Sequence, residues 1–571
     1  MRKVLAERTS APRLSRRRFV QGIAAGATLL TPWRGFARGE VRRDRAVLTG
    51  PEFDLTLGEI AVNYTGRKRS ATAVNGHVPG PLLRMRQGDR VTIRVTNQLP
   101  ERSSIHWHGL IVPADMDGVP GVSFAGIDSG STFIYRFTVN QSGTYWYHSH
   151  SRFQEQTGLY GPIVIEPPEG ERHGSDREHL VLLSDWSDAD PEWLYATLKR
   201  QSDYFNYGKR TVGDFLNDVR AHGFKQTVTE RGTWGRMRME PSDLADVGGA
   251  TYTYLMNGVT PAGNWTALFE RGERVRLRFI NGSSMSFFDV RIPGLKLTVV
   301  AADGQDVEPV SVDEFRLGAA EVLDVIVSPN TDRAYTIFAQ SMDRSGYARG
   351  TLAPQPGMVA EVPSLDARVV LTNDDIGMAH GMADMPGMAH GGAHPQFGPT
   401  VDMGAMHGAA RLGDPGVGLR ANGRRVLSYA DLHTLGGPID RREPGRDIEL
   451  HLTGHMARYI WSFDGQKFSE AEPLRFAHGE RLRIVLVNDS MMTHPIHLHG
   501  MWSELETEDD SFLVRKHTVS VQPAQRLSYL VTADALGHWA YHCHLLFHME
   551  AGMFREVVVA RAGGAAGGAQ P

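Results

Sequence analysis

Three ten-residue segments, GDRVTIRVTN from Gly88, GERVRLRFIN from Gly272 and GERLRIVLVN from Gly479, repeat one pattern along the chain. Each places apolar residues at alternate positions and ends in Asn, and this alternation describes a β-strand with one buried face. The copies lie too far apart for a solenoid, whose period would be roughly 20–50 residues. Between them, short β-rich runs are punctuated by Gly, Pro and Asn, as in β-sandwiches. At roughly 100–200 residues per domain, a chain of 571 residues holds about three domains. The expectation is therefore three related β-domains.

The copies then diverge. Nine residues past each terminal Asn stand His106-Trp107-His108-Gly109, Val290-Arg291-Ile292 and His497-Leu498-His499-Gly500. A second pattern, GTYWYHSH from Gly143, returns as GHWAYHCH from Gly537, whereas the middle region offers only AYTIFAQS from Ala334. The first and last domains thus carry histidines where the middle one does not, which suggests a structural spacer. Residues 191–246 contain LYATLKRQSDYFNYGKRTVGDFLNDV, whose apolar spacing predicts a partly helical insertion. Residues 376–412 are rich in Gly, Met, His and Ala and read as a long loop.

Net charge is only −4, so bulk charge gives no reason to expect a nucleic-acid partner. No apolar run is long enough to span a bilayer, and no stable membrane insertion is expected. At the N-terminus, Ser15-Arg16-Arg17-Arg18-Phe19-Val20 precedes an apolar stretch from Gly22 to Leu30 and a small-x-small site at Gly35-Phe36-Ala37. This reads as a twin-arginine export signal over residues 1–37. A disulfide-stabilised secreted protein would show several cysteines; this chain has one, Cys543.

With 24 histidines in the chain, roughly one His-x-His would arise by chance, the false-positive risk of a short motif. Four occur: His106/His108, His148/His150, His497/His499 and His542/His544. Residues i and i+2 of a strand share a face, so each pair can aim two imidazoles at one metal cluster. Imidazole suits Cu, Zn, Fe and Ni alike. Cys543 narrows the choice, because in His542-Cys543-His544 the thiol faces away from the two imidazoles. With His494, His548 and Met553 it completes two imidazoles, a thiolate and a weak thioether, the ligand set of a blue-copper electron-transfer site. A structural zinc site would use four strong ligands and no methionine.

HWHG, HSH, HPIHLHG and HCHLLFHMEAGM, in this order and two near each end, resemble the four copper motifs of multicopper oxidases. DMDGVPGVSFAGI, YHSHSRFQEQTGLYGPIVI, RLRFINGSSMSFFDVRIPGLKLTVVAADGQ and MTHPIHLHGMW resemble the bacterial copper-resistance oxidases of the CopA type, and the likeness runs from about Val47 to Ala560. The resemblance implies an all-β chain of three cupredoxin-like Greek-key β-sandwich domains, over residues 47–170, 178–370 and 413–562, with a flexible tail at 563–571. It implies four coppers per chain. His494, Cys543, His548 and Met553 match the type 1 ligands, and His106 and His497 the type 2 ligands. His108, His148, His150, His499, His542 and His544 match the type 3 pair. Catalytic roles fall to Cys543 as electron conduit and to proton-relaying carboxylates. Asp117, nine residues past His108 in a DGVPG turn, stands where the family places one such acid, although an aspartate there also suits the turn. The family's second acid follows the last type 1 histidine in some members. Met549 occupies that position here and Glu550 follows one residue later.

The substrate is less constrained. Met378, Met382, Met385, Met388, Met403 and Met406, with His380, His390, His394 and His407, concentrate soft ligands, and thioethers prefer Cu(I). The segment reads either as a Cu(I)-capturing device or as a linker. Three functions follow: a periplasmic cuprous oxidase, a laccase-like oxidase of phenols, or a copper-sequestering protein with incidental oxidase activity. Expected partners are O₂, Cu(I) or a phenolic donor, the twin-arginine export machinery and other periplasmic copper-resistance proteins.

Overall fold

The terminal Asn of each repeat explains why the pattern recurs. In the computed structural model, which describes residues 46–377, 398–404 and 408–561, Asn97, Asn281 and Asn488 are fully buried. Each makes the same three bonds. The amide of Asn97 donates to the carbonyls of Glu101 and Ile127, that of Asn281 to Ser286 and Leu317, and that of Asn488 to Met492 and Val521. Each amide oxygen accepts from the backbone N–H two residues on, at Leu99, Ser283 and Ser490. In the second and third domains the clamp ties the end of a central strand to an edge strand of the facing sheet. It also shapes the loop that enters the next strand, where the first and third domains carry histidines. Stranding a buried backbone carbonyl would cost roughly 1–3 kcal/mol, which accounts for Asn at this position.

The repeat strands Arg90–Asn97, Val275–Asn281 and Arg481–Asn488 hold equivalent places. Each runs parallel to an earlier strand (Glu52–Val62, Arg177–Trp186 or Arg446–His455) and antiparallel to a later one (Thr132–Thr138, Val322–Val327 or Arg526–Thr532). Among the described residues six sheets result, of five and four strands in the first domain, and of six and five in the second and in the third. They form three cupredoxin-like domains, and the described residues are 41% strand and 11% helix. The first domain encloses its own apolar core around Ile93, Trp107 and Tyr135. The cores of the second and third are continuous, from Val181 through Phe279 to Val557.

The helical insertion is present as Pro191–Arg200, Val212–His222 and Phe224–Met237. The first helix starts on Asp190, whose side chain accepts from the Glu192 N–H, and the second on a capping box between Thr211 and Asp214. Among the described residues no helix is long and apolar enough to cross a membrane. The export signal, the tail, Met378, Met382, Met385, Met388 and Met406, and His380, His390, His394 and His407 lie outside the described residues.

Candidate metal centre

Two strand pairs bring the histidines together. His106–His108 runs antiparallel to Gly143–His148, setting His106 opposite His148, and His494–Leu498 runs antiparallel to Gly537–Cys543, setting His497 opposite His542. The first pair belongs to the first domain and the second to the third, and their imidazoles meet. Nε2 of His542 lies 3.1 Å from Nε2 of both His150 and His499. Nε2 of His544 lies 3.3 Å from Nε2 of His148. The rings of His108 and His497 stack with centroids 3.9 Å apart, and those of His106 and His499 lie 4.0 Å apart.

The nitrogens facing away from these meeting points are held by acceptors. His106 Nδ1 donates to the Asp117 carbonyl at 2.7 Å, His497 Nδ1 to the His517 carbonyl at 2.6 Å and His542 Nδ1 to the Cys543 carbonyl at 2.9 Å. Nε2 of His106, Nε2 of His497 and Nδ1 of His108 are buried without a hydrogen-bond partner. Buried polar atoms are rarely left so. A ligand histidine bonded through one nitrogen, with the other lone pair free, is the pattern of a metal site. Burial, with the neighbouring imidazoles, lowers the pKa of His108, His148, His150, His499 and His544 well below that of a free histidine, and that of His542 to about 4. The rings are thus held neutral, as ligation requires. The residues fit a copper cluster.

Cys543 points to the other face of its strand. Its Sγ lies 3.6 Å from Nδ1 of His494 and 4.0 Å from Nδ1 of His548, and those two nitrogens are 3.2 Å apart. The outer nitrogen of His494 is held by Ser490 Oγ at 2.7 Å, and that of His548 by Asp246 Oδ2 at 2.7 Å. Both rings therefore turn Nδ1 toward the sulfur. Trp461 stacks on His548 at 4.0 Å. Met553 is fully buried; its N–H donates to the His548 carbonyl and its carbonyl accepts from the Cys543 N–H. Burial, together with the Asp246 charge, pushes the thiol of Cys543 upward, so a thiolate here needs a cation to stabilise it.

Asp117 reaches both domains. It is fully buried, with Oδ2 2.9 Å from His499 Nδ1 and Oδ1 3.3 Å from His106 Nδ1. The next residue lets the turn approach this closely: Gly118 has φ +84°, and a Cβ there would lie 1.9 Å from the Ile105 carbonyl oxygen. Glu550 requires a correction. It is exposed at the end of the helix Leu546–Glu550 and its charged neighbours are Arg152 and Glu192. One helical step past the family position leaves it at the surface. Met403 also differs from expectation, being 1% exposed and packed in the core, so it is not a solvent-facing ligand.

Three residues of the site were not singled out in the sequence. Asp246 lies 302 positions from its partner His548, and no spacing connects them. His517 sits beside His108, with Nδ1 3.2 Å from His108 Nε2, but lacks a His-x-His partner. Glu155, in the buried polar run Gln154-Glu155-Gln156, lies 2.7 Å from His148 Nδ1. A polar run this close to HSH was the one available signal. Beyond Asp246 lies a cavity of about 390 Å³, lined by Asp243, Asp246, Asp343, Tyr207, Ser345 and Arg368 among others. Burial and the Asp246 charge push the Asp243 carboxyl well above the usual range.

Sequence models of the multicopper oxidase family match residues 56–170, 177–356 and 441–563. The chain belongs to the multicopper oxidase family, and it is an oxidoreductase with a copper cofactor. Within that family it is similar to the copper resistance protein A homolog of Pseudomonas syringae pv. tomato, at 58% identity over 96% of this chain and 99% of that one. It is also similar to copper resistance protein A of Escherichia coli, at 54% identity over 95% of this chain and 99% of that one. Among solved structures, Fet3p, a multicopper oxidase that functions in iron import, shares the fold with a TM-score of 0.64 at 20% identity, over 90% of each chain.

Proposed function

We propose that the chain is a periplasmic copper-resistance oxidase, exported by the twin-arginine route, that couples oxidation of Cu(I) to reduction of O₂: 4 Cu(I) + O₂ + 4 H⁺ → 4 Cu(II) + 2 H₂O. It would hold four coppers. His494, Cys543, His548 and Met553 would hold the type 1 ion, and His106 and His497 the type 2 ion. The type 3 pair would fall to His108, His148 and His544 on one side and His150, His499 and His542 on the other. Copper bound there supplies one-electron transfer and the reduction of O₂.

The observation that carries this reading is the strand Gly537–Cys543 and the residue after it, in which one thiol faces His494 and His548 while its covalent neighbours face histidines of another domain. Electrons arriving at Cys543 would reach His542 and His544 through a few bonds. Asp117 would hold a proton beside the cluster, a role supported by its contacts with His499 and His106. Copper as substrate is supported by the likeness to copper resistance proteins and by the thioether-rich segment.

O₂ uptake by the copper-loaded protein, driven either by Cu(I) or by dimethoxyphenol, tests the reading. Sustained uptake with a clear preference for Cu(I) is expected. A preference for the phenol would favour a laccase-like oxidase, and copper binding without sustained uptake a sequestering protein. Cys543→Ser should abolish the blue colour and the uptake together.

A further inference from the structure

Buried carboxylates in this protein are commonly matched to arginine: Asp289 to Arg316 and Arg344, Glu314 to Arg291 and Arg424, Asp324 to Arg276 and Arg278, and Glu504 to Arg481 and Arg515. Glu155 is different. It is 3% exposed, and among the described residues its ion-pair neighbours are two histidines, His148 and His544. Burying a carboxylate without a cation is expensive, so its position calls for an explanation other than stability.

The geometry supplies one. Oε2 lies 2.7 Å from Nδ1 of His148, which also bonds the Ser149 carbonyl at 3.1 Å, and Oε1 lies 4.0 Å from Nδ1 of His544. Both Oε1 and the His544 Nδ1 are buried without a hydrogen-bond partner, and the 4.0 Å between them is too long for a bond. On their far sides the same two rings converge, Nε2 to Nε2, at 3.3 Å. One carboxylate therefore faces the outer nitrogens of two imidazoles whose inner nitrogens meet. The segment bearing it is anchored. The Gln154 amide oxygen accepts from Ser103 and Ser149 hydroxyls, its NH₂ donates to Glu101 and to the Arg102 carbonyl, and the Gly158 N–H closes a turn on the Glu155 carbonyl.

We propose that Glu155 is a positioning residue of the copper cluster, a carboxylate set against the outer nitrogens of His148 of the first domain and His544 of the third that keeps their Nε2 lone pairs turned toward each other's side of the cluster. This rests on the cluster reading above. A carboxylate can accept at both oxygens, and an acceptor on the far nitrogen of a ligand histidine fixes its tautomer and ring orientation. Because the two histidines come from different domains, the arrangement also locks the inter-domain seam at the point where ligands must align.

Copper-loaded wild type, Glu155→Gln and Glu155→Leu would be compared by copper content per chain, the visible absorption of the Cys543 site, electron paramagnetic resonance and copper release to a graded chelator. The Cys543 absorption should be equal in all three, since Glu155 does not touch that site. Cluster copper should leave Glu155→Leu at roughly ten- to hundred-fold lower chelator concentration than wild type, the usual range for losing such an acceptor. Its resonance spectrum should show ions that are spin-coupled and silent in wild type. Glu155→Gln keeps volume and an oxygen for His148 but offers an NH₂ to His544, so it should fall between the two. It also carries the test if the leucine variant fails to fold. Wild-type retention and an unchanged spectrum in Glu155→Gln, and in Glu155→Leu if it folds, would overturn the inference alone. A wild type that binds copper only at Cys543 would overturn the cluster reading with it.

Discussion

Asp246 Oδ2 sits 2.7 Å from Nε2 of His548, and the Tyr459 hydroxyl donates to the same oxygen at 2.8 Å. Asp246 adopts φ +55°, a left-handed conformation that aspartate tolerates better than most residues. It follows the last helix of the insertion, Phe224–Met237, so the domain without metal-type histidines still reaches the Cys543 site. His548 is fully buried, and Asp246 lies between its outer nitrogen and the acidic cavity.

Removing that charge should disfavour the oxidised state of the site. Asp246→Asn is expected to keep the blue colour and to raise the potential, by roughly 60 mV for each tenfold change in the relative stability of the two oxidation states. Oxidation of cationic Cu(I) should slow more than that of a neutral phenol. Spectroelectrochemical titration and paired kinetics check both; an unchanged potential with equal slowing would reduce Asp246 to a packing role.

Asp117 contacts His106 of the first domain and His499 of the third, both proposed ligands of the cluster rather than of the Cys543 site. Asp117→Asn should therefore slow reoxidation by O₂ about ten- to hundred-fold while reduction of the blue chromophore proceeds at the wild-type rate. Stopped-flow mixing under limiting O₂ separates the two phases. Equal slowing of both, or of neither, would contradict the assignment.

Thioethers match Cu(I) but have no special affinity for phenols. Replacing Met378, Met382, Met385, Met388 and Met406 with Leu should lower kcat/KM for Cu(I) about tenfold or more, if binding through sulfur contributes about 1.4 kcal/mol or more, and change phenol oxidation little. Met403→Leu serves as an internal control. As a buried, volume-conserving change it should cost less than about 1.5 kcal/mol and leave Cu(I) kinetics intact. No loss with Cu(I) in the five-fold variant would leave the segment a linker.

On the proposed export route, the paired arginines near the N-terminus would be an address read by a receptor. Arg16→Lys with Arg17→Lys should hold the precursor in the cytoplasm, as cell fractionation would reveal. Undiminished periplasmic enzyme would point to a different export route.

Much of this protein was written locally. The alternation in GDRVTIRVTN and its two relatives predicts central strands because side-chain direction along a strand depends only on parity. The same parity places Cys543 and its neighbouring histidines on opposite faces, as the distances from Cys543 to His494 and from His542 to His150 show. What the sequence could not determine is contact between residues far apart along the chain. The 302 positions between Asp246 and His548 and the 389 between Glu155 and His544 (544 − 155) leave no periodicity to read. Glu550 shows the same limit from the other side: near the expected position in sequence, it is carried to the surface by the turn of a short helix. Strand parity and motif spacing determined which residues can act as ligands, because they are properties of adjacent backbone. Which carboxylates hold those ligands was decided by how the three domains pack, because a hydrogen bond across a domain seam requires only proximity in space.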